Sequence, residues 1–161
     1  MICKYSDCYN LNIVLYNATN STCGGYAFDN SCTFVIGENV TNLPDKLFYY
    51  PCKIVSHAAA PPVITGNTFS SGSTLYVSPD AYLAYWMDEN WGKMELVEIS
   101  TLISSIALNL EEYSITPNGS IQLTAQITPL DATLKDIYWR SDNQKVASVD
   151  PSGLVQGLSE G

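Results

Sequence analysis

The stretch Phe34–Cys52, FVIGENVTNLPDKLFYYPC, decides how the first part of the chain folds. It opens on a β-type run, Phe34-Val35-Ile36, and passes through Gly, Asn and Pro to a Leu47-Phe48 pair. A second β-type run, Ile54-Val55-Ser56, follows at once. Val, Ile and Phe suit a pleated, half-buried surface, whereas Gly, Asn and Pro punctuate turns. The flanking sequence repeats this plan. Ala27-Phe28, Leu47-Phe48 and Thr68-Phe69 recur at spacings of 20 and 21. The runs Ile13-Val14-Leu15, Phe34-Val35-Ile36, Ile54-Val55-Ser56 and Leu75-Tyr76-Val77 recur at 21, 20 and 21, and Cys32 and Cys52 are also 20 apart. A period near 20 with one short strand per unit is the mark of a solenoid, whose units bury their apolar faces only by stacking. Stacking puts Phe28, Phe48 and Phe69 in a column, pairs the strands in parallel, and leaves the connecting arms NATNSTCGG, GENVTNLPD and AAAPPVITGN as turns.

FVIGENVTNLPDKLFYYPC resembles the BspA-like variety of leucine-rich repeat, in which a strand leads into Val-Thr-x-(Ile/Leu)-Pro and then an (Ala/Leu)-Phe pair. CYNLNIVLYN is similar to that family's Cys-x-x-Leu entry to a strand, and AAAPPVITGNTFSSGSTLYVSPDAYLAYWMDENWGKM to the way such arrays finish. The resemblance covers roughly residues 8 to 100, with a degenerate first repeat, NATNSTCGGYAF. Ser78-Pro79-Asp80 reads as a helix start, with Ser78 as N-cap and Pro79 at the first helical position. Tyr82, Tyr85, Trp86 and Met87 then form the apolar face of a closing helix, with Asp88 and Glu89 on its other side. Such a cap covers the open core of the last coil.

After LVEISTLIS the pattern changes. In SIQLTAQIT, Ile121, Leu123, Ala125 and Ile127 alternate with polar residues, as in a half-buried antiparallel strand. Thr116-Pro117-Asn118-Gly119 is a turn, Ile137–Arg140 a second alternating strand, and Asp150-Pro151-Ser152-Gly153 a tight turn between two more. Short alternating strands joined by such turns argue for a sandwich. From Leu123 on, LTAQITPLDATLKDIYWRSDNQKVASVDPSGLVQGLSEG resembles the group 2 bacterial immunoglobulin-like domain. That family's pattern continues past the position of Gly161 with one or two more strands, so the resemblance implies a domain cut within its fold. The expected architecture is therefore mainly β. A short leucine-rich-repeat solenoid with a C-terminal capping helix occupies residues 1–101, and a partial antiparallel immunoglobulin-like β-sandwich residues 102–161.

Composition narrows the function. With 46% apolar and 14% charged residues the chain is core-forming, and its net charge of −9 argues against nucleic acid as a partner. No window approaches the apolar length of a membrane span, and MICKYSDC lacks the flank and core of a signal peptide. Starting near Cys8 without an N-terminal cap, the array leaves Met1 open as an internal or artificial start. Both resemblances imply a bacterial surface or secreted protein. Enzyme motifs are absent: His57 is the sole histidine, and Asp88 and Glu89, adjacent on a helix, point apart rather than flank a bond. No cofactor or metal is expected. The five cysteines (Cys3, Cys8, Cys23, Cys32, Cys52) form no CxxC pair, and none stands at zinc-ligand spacing from His57. Cys32 and Cys52, at equivalent places in neighbouring units, read as free buried thiols rather than a bridge. Asn17, Asn20, Asn39 and Asn118 lie in N-x-Ser/Thr sequons, incidental in a bacterial protein, and no calcium-loop spacing organises Asp131, Asp136, Asp142 and Asp150.

The positive reading is a binding face. If Ile13, Phe34, Ile54 and Leu75 point inward, then Val14, Val35, Val55 and Tyr76 form an outward row, flanked by a second row of Tyr16, Gly37, His57 and Ser78. Runs of three apolar residues leave the opposite phase open. Tyr26, Tyr49 and Tyr50, near repeat ends, suit protein or sugar contacts. The function expected is non-catalytic binding of a host or microbial surface protein or glycan by the solenoid, with the sandwich as spacer. The alternative is an accessory segment of a large secreted, carbohydrate-active enzyme. Residues 102–161 alone are expected to be marginal or unfolded and to be rescued by appending the further strands of the family pattern. A cooperative melt of the isolated 102–161 peptide at low concentration would overturn that.

Overall fold

The computed structural model describes residues 12–18, 26–28 and 32–161. Cys3, Cys8, Cys23, Asn20 and most of the first turn-rich arm lie outside these residues. Among the described residues the fold is mainly β, with one short helix and three sheets, and the chain divides into two compact units, Met1–Ser100 and Thr101–Gly161.

The first unit is built on five four-residue strands: β1 Ile13–Tyr16, β2 Thr33–Ile36, β3 Lys53–Ser56, β4 Thr74–Val77 and β5 Glu95–Glu98. They lie side by side in chain order and every pairing is parallel. Parallel neighbours require a long crossover, which the arms of each repeat supply. Val14, Phe34, Ile54, Leu75 and Leu96 form one rung of the ladder. The steps along that rung are 20, 20, 21 and 21.

The first step corrects the expected phase of β1. Aligning its apolar run with that of β2 at a step of 21 places Val14 and Tyr16 outward. The ladder steps by 20, and since side chains alternate faces, a slip of one position inverts the whole strand. Val14 and Tyr16 therefore pack against the core, while Ile13 and Leu15 are exposed. The repeat also reaches one strand further than expected. Leu96 pairs with Leu75 one step on, and β5 joins the sheet beyond the helix.

Inside the sheet, Phe34, Ile36, Ile54, Leu75 and Val77 are wholly buried. Behind them Phe28 stacks on Phe48 at 4.8 Å between ring centroids, and Phe48 on Phe69 at 5.7 Å. Phe28 and Phe48 also form a parallel bridge, so the arms as well as the strands are in register. Trp91 closes the column, 5.5 Å from Phe69 and edge-on to Tyr85 at 5.4 Å, with its indole N–H donating to the Pro62 carbonyl at 2.7 Å.

Helix α1, Pro79–Met87, begins as expected with Pro79 in its first turn. Ser78 stands at the N-cap, where its carbonyl accepts from the Ala81 and Tyr82 N–H groups, although its side chain makes no cap bond. The buried stripe differs from the expected one. Ala81 and Tyr85, one turn apart, face the core with Tyr82 beside them, whereas Trp86 and Met87 lie further round the helix and are 60% and 71% exposed. The closing residue is Trp91, in a 3-10 turn Trp91–Lys93 that the Asp88 carboxylate starts by accepting from the Asn90 and Trp91 N–H groups.

In the second unit, β6 Ser105–Leu108 pairs antiparallel with β8 Ala125–Thr128. β7 Ser120–Gln122, β10 Leu154–Gly157 and β9 Ala147–Val149 form a three-stranded antiparallel sheet. The run expected as one strand over 120–128 thus splits at Leu123-Thr124, and its halves enter different sheets. Its alternation survives the split: Ile121, Leu123, Ala125 and Ile127 are the more buried positions. Thr124 leaves β7's ladder to pair with Asn109, whose side chain accepts from its N–H at 2.8 Å. Ile137–Arg140 keeps the expected alternation of burial but joins no ladder, a correction to the strand expected there. Alternation reports which side is covered; a ladder needs in addition a second strand in register beside the first. The turns form where read. Gly119 N–H reaches the Thr116 carbonyl at 2.8 Å around Pro117 and a positive-φ Asn118, the pattern of a type II turn. Asp150 folds its carboxylate back on the Ser152 and Leu154 N–H groups, with Gly153 at φ 87°.

Trp91→Ala is expected to cost about 3–5 kcal/mol, because it opens the end of the aromatic column and strands the Pro62 carbonyl. Trp86→Ala, at an exposed position, is expected to be within about 0.5 kcal/mol of the parent. Urea melts of the two variants check this pair.

Candidate functional site

The outward face of the parallel sheet carries the residues singled out in the sequence. Its central row, in ladder order, is Leu15, Val35, Val55, Tyr76 and Val97. Val35, Val55 and Tyr76 are ladder neighbours there; Val14 is not in the row, and Leu15 takes its place. Beside this row stand Thr33, Lys53, Thr74 and Glu95, the entry residues of β2 to β5. Lys53 Nζ lies 5.5 Å from the centre of the Tyr76 ring, and the Thr74 hydroxyl donates to Glu95 Oε2 at 3.0 Å. Five in-register strands give the face an apolar centre and a polar border that carries a cation and an anion.

Exposure within the row is uneven. Leu15 is 72% exposed, Val35 and Tyr76 are half-buried, and Val55 retains only 6%. Val55 is central in the sheet, and its ladder neighbours Val35 and Tyr76 cover it from both sides. The second row, just past the strands, holds Asn17 rather than Tyr16 next to Gly37, because of the same slip of one position. A Cβ at Gly37 would run into the Asn17 carboxamide, so glycine permits that approach. His57 is exposed in this row, its N–H donating to the Ile36 carbonyl at 2.9 Å. Sequence reasoning missed Leu15 and Val97: carrying the repeat step of 21 on from Tyr76 finds Val97, whereas the same step back from Val35 reaches Val14, and only the ladder's step of 20 brings Leu15 into the row.

On the inward side a buried polar group sits on the sheet. Ser56, 2% exposed, lies on the rung of Ile36 and Val77. The Ala58 N–H donates to its hydroxyl, and the Tyr85 hydroxyl lies 2.6 Å away and donates to the Ala58 carbonyl at 3.2 Å. Because the tyrosine proton goes to that carbonyl, the Ser56 hydroxyl donates to Tyr85, and all three groups are satisfied. Cys32 and Cys52 are buried free thiols one repeat apart, and Ser73 occupies the next equivalent place. The Ser73 hydroxyl accepts from the Cys52 N–H at 3.1 Å and donates to the Ser70 carbonyl at 2.8 Å.

Residues 103–161 match the family model of the bacterial Ig-like domain (group 2). An uncharacterized protein of Clostridium acetobutylicum is 35% identical over 65 residues, 40% of this chain and 7% of that protein. An alpha-L-arabinofuranosidase of Bifidobacterium longum subsp. longum is 30% identical over 88 residues, 48% of this chain and 8% of that protein. The matched segments span less than a tenth of these relatives. Among the described residues, no helix is long and apolar enough to cross a membrane.

Burial pushes the Cys32 thiol up to about 11, the Cys52 thiol to about 12 and the Tyr85 hydroxyl to about 12. The folded chain holds these protons at pH values where the unfolded chain, with thiols at 9.0 and tyrosine at 10.0, releases them. Their contribution to stability is therefore intact below about pH 9 and declines between about pH 9 and pH 12. Melting temperature is expected to fall over that interval, with a shallower fall in Cys52→Ala. A thiol reagent at about pH 8 is expected to leave Cys32 and Cys52 unmodified until denaturant is added.

Proposed function

We propose that this chain is a non-catalytic binding segment of a bacterial surface or secreted protein. Residues 12–100 act as the coils of a leucine-rich-repeat solenoid of the BspA-like kind, and its outward sheet face grips a protein or glycan partner. The Ig-like unit serves as a spacer. The observation that carries the reading is the row Leu15–Val35–Val55–Tyr76–Val97, an apolar stripe on a five-strand parallel sheet whose register leaves it facing away from the core. The regular step from strand to strand and the stacked Phe28, Phe48 and Phe69 support the repeat assignment. The match of residues 103–161 to the bacterial Ig-like family supports the spacer and the surface or secreted setting.

A second reading has its own support in the similarity to an alpha-L-arabinofuranosidase. There the same segment is an accessory part of a large carbohydrate-active enzyme whose chemistry lies elsewhere. Flanking sequence with paired carboxylates would favour it, and further repeats the first reading.

The test presents the full chain to arrayed extracellular-matrix proteins and glycans beside Val35→Lys. Val35 is the better probe because Val55, at 6% exposure, reports on packing as much as on contact. Saturable binding that weakens by about tenfold or more in Val35→Lys, with an unchanged melt, is the expected result. Equal binding by parent and variant would remove the sheet face from consideration.

A further inference from the structure

A second surface of the first unit has a different chemistry. Where the arms turn into strands, Tyr26, Tyr49 and Tyr50 pack edge to face, with ring centroids 5.1 Å apart for the first pair and 4.9 Å for the second. The three are 52%, 56% and 49% exposed, so each ring is fixed by its neighbour while about half of it faces solvent. Two of these residues directly precede Pro51, Cys52 and β3. One repeat on, their places before β4 are taken by Ser70 and Ser71. The two arms touch: a Cβ at Gly72 would stand 3.6 Å from Pro51 Cγ. Beyond that contact the same edge opens into a cleft of about 410 Å³, with Phe69 and Met94 among its apolar lining and Ser70, Ser71, Lys93 and Glu95 among its polar lining. Glu95 is held in place by the Thr74 hydroxyl.

We infer that this edge binds a neutral oligosaccharide, with sugar rings stacked on Tyr26, Tyr49 and Tyr50 and the chain continuing into the cleft. A sugar ring presents an apolar C–H face and a rim of hydroxyls. A phenol ring offers a flat apolar face with a polar tip, and serines, a lysine and a carboxylate supply both donors and acceptors. Edge-to-face packing fixes the tyrosines before a ligand arrives, which reduces the ordering cost of binding. The platform is small beside the roughly 800 Å² per partner of a protein interface, and hydroxyl-rich where such an interface has an apolar core. Charge selects among glycans. The chain carries −9 and the cleft balances one Lys against one Glu, so an acidic polysaccharide is repelled at long range and finds one cation at close range. The site is distinct from the central row of the sheet and stands whether or not that row binds a partner.

The test titrates the isotope-labelled full chain with arabinotetraose, xylotetraose and cellotetraose, and with a heparin tetrasaccharide as the acidic comparison, following backbone amide signals. At least one neutral tetraose is expected to shift Tyr49, Tyr50, Ser70, Ser71 and Lys93 saturably, with Kd on the order of 1 mM or tighter. The heparin fragment is expected to bind more weakly. Tyr49→Ala/Tyr50→Ala should weaken binding about tenfold, whereas Tyr49→Phe/Tyr50→Phe, which keeps the stacking faces, should stay within roughly threefold of the parent. The inference is overturned if no neutral tetraose shifts these signals at about ten times that Kd, or if heparin alone binds. It is likewise overturned if binding survives the alanine pair unchanged, or is lost in Val35→Lys and kept in the alanine pair, which would assign it to the sheet face.

Discussion

Four aromatic rings in file, Phe28, Phe48, Phe69 and Trp91, form the interaction on which the first unit depends. Each ring comes from a different repeat or from the turn that ends the helix, so no ring is buried until its neighbours are in place. That makes the unit cooperative along its length. The parallel strands follow from the column. Arms stacked at one ring per repeat deliver successive four-residue strands to the same level, and in-register pairing results. Trp91 ends the file and is itself locked by its hydrogen bond to Pro62, so the last exposed ring face is covered by a residue that has its own fixed orientation.

The two faces of the sheet divide the labour. Inward, complete burial demands that every polar atom be paired, and the buried serine on that face is paired through Tyr85, which ties the helix to β3. Outward, the row from Leu15 to Val97 is apolar without being buried by the chain's own arms, except at Val55, where side-by-side neighbours suffice. The tyrosines carried by the arms add a second chemistry to the same unit. Both surfaces are consequences of repetition: one position per repeat, multiplied by stacking, becomes a stripe.

The second unit works on another principle. Its buried positions are few, Ile127, Ala132, Gly153 and Gly157 among them, and all four residues of β6 are exposed. Order in this unit rests heavily on local turn chemistry. Asn118 and Gly153 take the positive-φ positions that their turns require, and the hydroxyl of Ser152 together with backbone N–H groups draws the Asp150 carboxyl below its usual range. The chain changes sheets at Leu123-Thr124 without losing its alternation, because the backbone stays extended while its hydrogen-bond partner changes from β10 to the Asn109 strand end.

Periodicity and turn residues were legible from the amino acids alone. The Phe column, the parallel strands, the Pro79 helix start and the two tight turns follow from spacing and from what Gly, Pro, Asn and Asp do to a backbone. The sequence by itself could not decide the face of β1, since Ile13-Val14-Leu15 is apolar at every position and either phase is consistent with it. Nor could it decide between Trp86 and Trp91 as the closing residue: both are tryptophans near the end of one helix, and only the direction of the Ala81–Tyr85 stripe excludes the first from the core. Ile137–Arg140 alternates like a strand, yet pairing is a property of two segments and cannot be read from one. The tyrosine edge shares that character. Tyr26 and Tyr49 are separated by more than one step of the repeat, and become neighbours only because the arms that carry them fold back to the same edge. Local preference is written residue by residue; register, closure and surface are set by distances that exist only once the chain has stacked upon itself.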